Sequence, residues 1–169
     1  MSTPTTFLRI PDSTYRLQFN RHVTFVEARK LVVYLHDLGI TDCYCSSYLM
    51  AMPGSLHGYD VVDPTRLNPE IGTEEEFRAF SKELRDHGMG QILDIVPNHM
   101  GIEKGCNPWW LDVLENGQSS YYSDFFDITW LPIEADVGAK IVLPILSNQY
   151  GTVLENQDIT VMFDEGAFF

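Results

Sequence analysis

The feature that most constrains this chain is a unit it carries twice: a capped amphipathic helix, a glycine stop and a short apolar strand. Thr24 followed by Glu27, and Thr73 followed by Glu76, have capping-box spacing. In such a box each side chain satisfies a backbone donor that the first helical turn leaves orphaned. Behind the first box Ala28, Leu31, Leu35 and Leu38 recur at helical steps, and behind the second Phe77, Phe80 and Leu84 do. Each helix therefore presents one apolar face. Gly39 and Gly88 follow as stops, supplying the left-handed backbone of a helix end without a Cβ clash. Strand-like segments come next at residues 40–46 and 90–96, and another at 14–19 precedes the first helix. Strands alternating with helices of this length predict an α/β fold whose strands pair in parallel through right-handed crossovers.

Around that frame the sequence is less regular. Residues 48–72 read as a long loop with Pro53-Gly54, Pro64 and Pro69 as breakers, and loops of that length in a compact domain tend to carry function. Residues 101–130 are rich in Trp, Tyr, Phe and Asn, and two further strands are expected at 141–146 and 159–163 around a polar turn at 156–158. Acidic residues outnumber basic ones 24 to 11, for a net charge of −13. That argues against nucleic acid, which needs a concentrated basic surface, and against anionic membrane. No apolar run approaches the roughly 20 residues of a membrane span. The first residues show neither a basic start nor an apolar signal core. Cys43 and Cys45 with one further Cys make no disulfide framework, so a reducing cytoplasmic location is expected.

In parallel strand–helix folds functional groups gather where strands end and loops begin. Two clusters fall there: His57-Gly58-Tyr59-Asp60 with Asp63 close behind, and Asp94-Ile95-Val96-Pro97-Asn98-His99. Alternation sets Asp94 and Val96 on the face opposite Ile95, where a carboxylate must be hydrogen-bonded to be tolerated. The competing reading of a metal site has suitable ligand types in His57, Asp60, Asp94 and His99, but not the tight spacing of a zinc motif. Cys43 and Cys45 share one strand face and read as small core fillers. Phe19, Phe25, Phe77 and Phe80 sit at core positions. Tyr59, Trp109, Trp110, Tyr121 and Tyr122 lie in loop segments, where an exposed ring suits a pyranose face. Anchoring the following lobe is an equal reading for Trp109 and Trp110.

The stretch Asp94-Ile-Val-Pro-Asn98-His99 resembles the first signature of the alpha-amylase superfamily. Ser13-Thr-Tyr-Arg-Leu-Gln18, Pro53-Gly-Ser-Leu-His-Gly-Tyr-Asp-Val61, Arg66-Leu-Asn-Pro-Glu70, Asn107-Pro-Trp-Trp110, Phe125-Phe-Asp127 and Leu143-Pro-Ile-Leu146 narrow it to the maltooligosyltrehalose synthase family. The likeness runs from about residue 14 to 169. It implies an isomerase that rearranges maltooligosaccharides to a trehalose-ended product, with no cofactor. By the motif match Tyr59 would stack under the sugar, His99 would bond its hydroxyls and Asp94 would orient its neighbours. His57 and Asp60 would build the same wall, with Asn98 supporting. Some relatives use the Asn98 position for calcium; nothing here requires a metal. The family's nucleophile and acid/base follow later strands, and no carboxylate present matches either. Family members usually have proline where Ser47 stands.

A complete barrel of this type needs about 250 residues, against 169 here. The resemblance therefore implies a partial (β/α) TIM-type barrel over residues 1–100, holding its first three strands. Residues 101–169 would be part of a lobe inserted after the third. The expected partner is a maltooligosaccharide, with self-association through uncovered barrel surface and no catalysis by this length of chain alone. The alternative is a non-catalytic glucan-binding or assembly module from a truncated gene.

Overall fold

The computed structural model describes residues 10–130, 141, 143, 146–164 and 166–168. They fall into two compact units, divided between Tyr122 and Ser123. In the first, β1 (Thr14–Leu17), β2 (Asp42–Cys45) and β5 (Gly90–Leu93) make a parallel sheet in the order β1–β2–β5. Thr14 lies opposite Asp42 and Leu17 opposite Cys45; Asp42 lies opposite Gly90 and Cys45 opposite Leu93. The helices between them are α1 (Phe25–Asp37) and α2 (Glu74–Asp86). The α/β parallel reading therefore holds. Each strand is shorter than its apolar run. The β5 ladder still has the Asp94 amide donating to the Cys45 carbonyl at 2.9 Å, and three residues later Pro97 has no N–H to donate.

The helix starts differ in one respect. At α2 the Thr73 hydroxyl accepts the Glu76 amide at 3.2 Å and the Glu76 carboxylate accepts the Thr73 amide at 2.7 Å, a complete box. At α1 the Thr24 hydroxyl accepts the Glu27 amide, but the Glu27 carboxylate pairs with Lys30 at 2.6 Å instead. The buried face of α1 is also rotated from expectation. Phe25, Ala28, Val32 and Leu35 are buried, whereas Leu31 and Leu38 are 40% and 55% exposed. Phe25, at the first position of the helix, sets that rotation: its ring lies among Phe19, Tyr48, Phe77 and Phe80. Gly39 and Gly88 close the helices at φ +87° and +69°.

The core lies between one sheet face and the two helices. Tyr48 meets Phe25 and Phe19 edge-on, with ring centroids 4.9 and 5.1 Å apart. Cys43 and Cys45 fill the sheet side, and burial pushes their thiols up to about 12 and about 11, so they stay protonated. Ser47 is buried, and its hydroxyl accepts the Leu49 amide at 3.2 Å. Gly72 is confined by the same packing: at φ +135° a Cβ there would lie 2.9 Å from the Phe25 ring.

Residues 48–72 are not the continuous loop that their prolines suggest. They contain an antiparallel hairpin of β3 (Leu49–Ala51) and β4 (Val61–Leu67), irregular in register, with Leu49 opposite Leu67 and Ala51 opposite Val61. Pro64 is tolerated in β4 because such an irregular edge needs no donor at every position. Buried Asp63 accepts the Thr65 amide and hydroxyl at 2.9 and 2.6 Å, so its role is to hold that bend. The unit also holds α3 (Pro108–Asn116), capped by Asn107.

The second unit holds α4 (Tyr150–Glu155) and a short antiparallel pair, β6 (Phe163–Asp164) with β7 (Ala167–Phe168). The strand expected at 141–146 lies largely outside the described residues. Of the one expected at 159–163 only Phe163 is in a strand, because residues 150–155 turn helical and Gln157, at φ 60°, ends them. Among the described residues no helix is long and apolar enough to cross a membrane.

Phe25→Ala is expected to cost about 3–5 kcal/mol in urea unfolding, and Thr73→Ala about 1 kcal/mol. Val33→Ala, on the half-exposed face of α1, should stay within about 0.5 kcal/mol.

Candidate functional site

Side chains at alternate positions of the sheet point away from the core, and three of them meet. Arg16 lies opposite Tyr44 in the β1–β2 register, and Tyr44 lies opposite Ile92, two residues before Asp94. Asp94 Oδ2 accepts the Tyr59 hydroxyl at 2.8 Å, Arg16 Nη1 at 2.9 Å and the Tyr44 hydroxyl at 3.0 Å. Arg16 also donates to the Tyr59 oxygen and lies 4.5 Å from the Tyr44 ring centroid, a cation–π contact. The Tyr59 hydroxyl first, and then Arg16, hold the Asp94 carboxyl below the usual carboxylate range. Donation to Asp94 in turn raises the Tyr59 phenol above its ordinary value. Asp94 is thus an ionised hydrogen-bond acceptor, unsuited to giving up a proton near neutral pH.

The hairpin loop brings the rest of the cluster. The His57 and Tyr59 rings lie nearly parallel, 6.0 Å apart at 18°. His57 Nδ1 is 3.1 Å from the Tyr59 amide nitrogen, and since an amide only donates, Nδ1 accepts. Asp60 Oδ1 lies 3.9 Å from that nitrogen and takes the Ser55 hydroxyl at 2.6 Å. With Nδ1 already accepting, the two side chains are neighbours rather than an ion pair. His99 Nε2 donates to the Tyr59 carbonyl at 3.0 Å. The backbone locks the same seam: Gly101 N–H donates to Val61 O at 2.8 Å, and a Cβ on Gly101 would lie 2.9 Å from the Asp60 carbonyl oxygen. Asn98 is exposed and stands outside this hydrogen-bonded set.

The structure therefore brings His57, Tyr59, Asp60, Asp94 and His99 into one place at the ends of the strands. The sequence reading passed over Arg16 and Tyr44. Their signal is parity: both share the face of Asp94, but only the pairing register shows that they are neighbours. Among the described residues no three His, Cys, Asp or Glu side chains cluster as a metal would require. Of the loop aromatics, Trp110 is buried at the start of α3, while Trp109 stacks on Tyr122 at 5.0 Å and 9°. Asn107 accepts the Trp110 amide at 3.0 Å and donates to the Gly101 carbonyl at 3.0 Å, so α3 is fastened to the segment carrying His99.

The folded-state pKa of Asp94 lies below its ordinary value of 3.8. Its contribution to stability is present above that value and is lost as pH falls through the folded one. Asp94→Asn should therefore destabilise at neutral pH, with a difference from wild type in urea midpoint that shrinks as pH falls below 3.8. A constant difference would exclude this account. Tyr59→Phe should raise the Asp94 titration midpoint, read by carboxyl NMR.

Residues 29–152 match the alpha amylase catalytic domain family. A Mycobacterium tuberculosis (strain H37Rv) protein that carries the maltooligosyl trehalose synthase name is 45% identical over 143 residues, covering 80% of this chain and 18% of that protein. The structure of maltooligosyltrehalose synthase from Arthrobacter ramosus matches with a TM-score of 0.69 at 46% identity, over 71% of this chain and 16% of the other. A crystal structure of maltooligosyl trehalose synthase matches with a TM-score of 0.82 at 38% identity, over 95% and 21%. The chain thus spans about a fifth of the length of these relatives. Its parallel sheet and helices correspond to part of the catalytic (β/α) barrel.

Proposed function

The chain belongs to the alpha-amylase family, and from that premise we propose that it supplies part of the sugar-binding wall of a maltooligosyltrehalose synthase. That enzyme type is an isomerase: the reducing-end α-1,4 link of a maltooligosaccharide becomes an α,α-1,1 link. Retaining chemistry of this kind uses a carboxylate nucleophile and a second carboxyl acting first as acid and then as base. No carboxylate in these 169 residues matches either, so the proposed role is binding and positioning, with no catalytic residue in this length of chain.

The observation that carries the proposal is the Tyr59 ring, held through its hydroxyl on Asp94 and flanked by His57. In this reading Tyr59 stacks under a glucosyl ring, while His57, Asp60 and His99 offer donors and acceptors to its hydroxyls. Asp94 orients Tyr59 and Arg16, and Asn98 supports the rim. The partner is a neutral maltooligosaccharide, so the net charge of −13 neither attracts nor repels it. The reading includes a cytoplasmic location, supported by the buried thiols of Cys43 and Cys45.

A second reading, a glucan-binding module without catalysis, is favoured by the state of Asp94, whose Oδ2 already takes three donors. Both readings predict that the 169-residue chain binds maltopentaose in calorimetry and that Tyr59→Ala weakens Kd at least about tenfold. They part when these residues are joined to the remainder of a barrel. Trehalose-ended product then supports the first, and binding without product the second. The chain alone should give no product above a His99→Ala control. Self-association is also proposed, through uncovered barrel surface beside β5, where Leu93 and Ile95 are exposed; a monomer in sedimentation velocity would refute it.

A further inference from the structure

The polar face of β1 continues past its last strand residue, Leu17. Alternation puts Arg16, Gln18 and Asn20 on one side, opposite buried Leu17 and Phe19. Each of the three reaches the loop between β3 and β4. Arg16 donates to the Tyr59 hydroxyl, Gln18 Nε2 donates to the His57 carbonyl at 2.9 Å, and Asn20 Nδ2 donates to the Leu56 carbonyl at 3.1 Å. On the same loop Glu70 Oε1 accepts the Gly54 amide at 2.9 Å.

The two carboxamides have no freedom to turn over. Gln18 Oε1 is 3.3 Å from Arg16 Nη2; a guanidinium only donates, so the Gln18 oxygen faces Arg16 and its nitrogen faces His57. Asn20 Oδ1 accepts the His22 and Val23 amides at 2.9 and 3.3 Å, which directs its nitrogen to Leu56. Both grips fall on backbone carbonyls. Neither grip uses the His57 imidazole, which takes the Tyr59 amide on Nδ1 and stays 59% exposed.

We propose that Gln18, seconded by Asn20, is a positioning residue for the sugar site. It sets the height of the His57–Tyr59 platform above the strand ends and couples that platform to Arg16, and so to Asp94. The proposal rests on the reading of Tyr59 and His57 as sugar-facing. Gln18 touches no reacting group; its effect runs through the loop.

The test compares the 169-residue chain with Gln18→Met, which removes both contacts, and Gln18→Glu, which keeps an oxygen for Arg16 but has no donor for the His57 carbonyl. Hydrogen exchange is followed at the Gly58 and Tyr59 amides and, as reference, at Val32 in α1 and Leu84 in α2; the Kd for maltopentaose is measured alongside. Exchange at Gly58 and Tyr59 should speed up about three- to tenfold in both variants, the factor one net hydrogen bond carries. Val32 and Leu84 should keep wild-type rates, and Kd should weaken by a similar factor. Loop exchange unchanged in both variants overturns the proposal. So does a loosened loop with unchanged Kd, or faster exchange at Val32 and Leu84, which would make Gln18 a general stability residue. A wild-type chain that does not bind maltopentaose refutes the sugar-site reading and the positioning role with it. In that case altered loop exchange still shows the tether itself, so the two failures are separable.

Discussion

One carboxylate oxygen ties together segments far apart in sequence. Asp94 Oδ2 receives donors from β1, from β2 and from the loop of the β3–β4 hairpin. An ionised acceptor makes hydrogen bonds roughly twice as strong as neutral ones, and the cluster is only partly exposed, so solvent weakens it incompletely. The depressed Asp94 and the raised Tyr59 and Arg16 are three views of that same preference for a charged acceptor among donors.

The sheet works because its faces are chemically opposite. Leu17, Cys43 and Cys45 meet the aromatic cluster beneath the helices, and there the apolar term dominates, at about 25 cal/mol for each Å² buried. Arg16, Tyr44 and Asp94 lie on the other face, partly open to solvent, and there they pair with one another by hydrogen bonds and a cation–π contact. The hairpin completes that arrangement by carrying Tyr59 onto Asp94. Asn107, Gly101 and the Val61 carbonyl then pin the segment after His99 against the hairpin.

Both carboxylates of this assembly are already engaged. Its central carboxylate is committed to fixed donors, and the second carboxylate, Asp60, is occupied by Ser55. A fold of this kind hosts many activities, and function follows from the site grafted on it. Here the site offers a held aromatic ring with imidazoles beside it, and the proposed sugar contact rests on that ring.

The sequence by itself determined α1 and α2, their stops, the parallel α/β class and the two runs that carry His57, Tyr59, Asp60, Asp94 and His99. Those follow from local rules: capping residues, glycine's access to positive φ, and alternation along a strand. It did not determine which face of α1 is buried, because Leu31 and Val32 are equally apolar and only the seat of Phe25 decides between them. It missed the hairpin, since the prolines of residues 48–72 argue locally against pairing that the fold permits at an irregular edge. It missed α4 for a related reason, an apolar stretch too short to choose between helix and strand. Arg16 and Tyr44 became part of the site only through register, a relation between strands separated by a helix, and no local pattern encodes that distance.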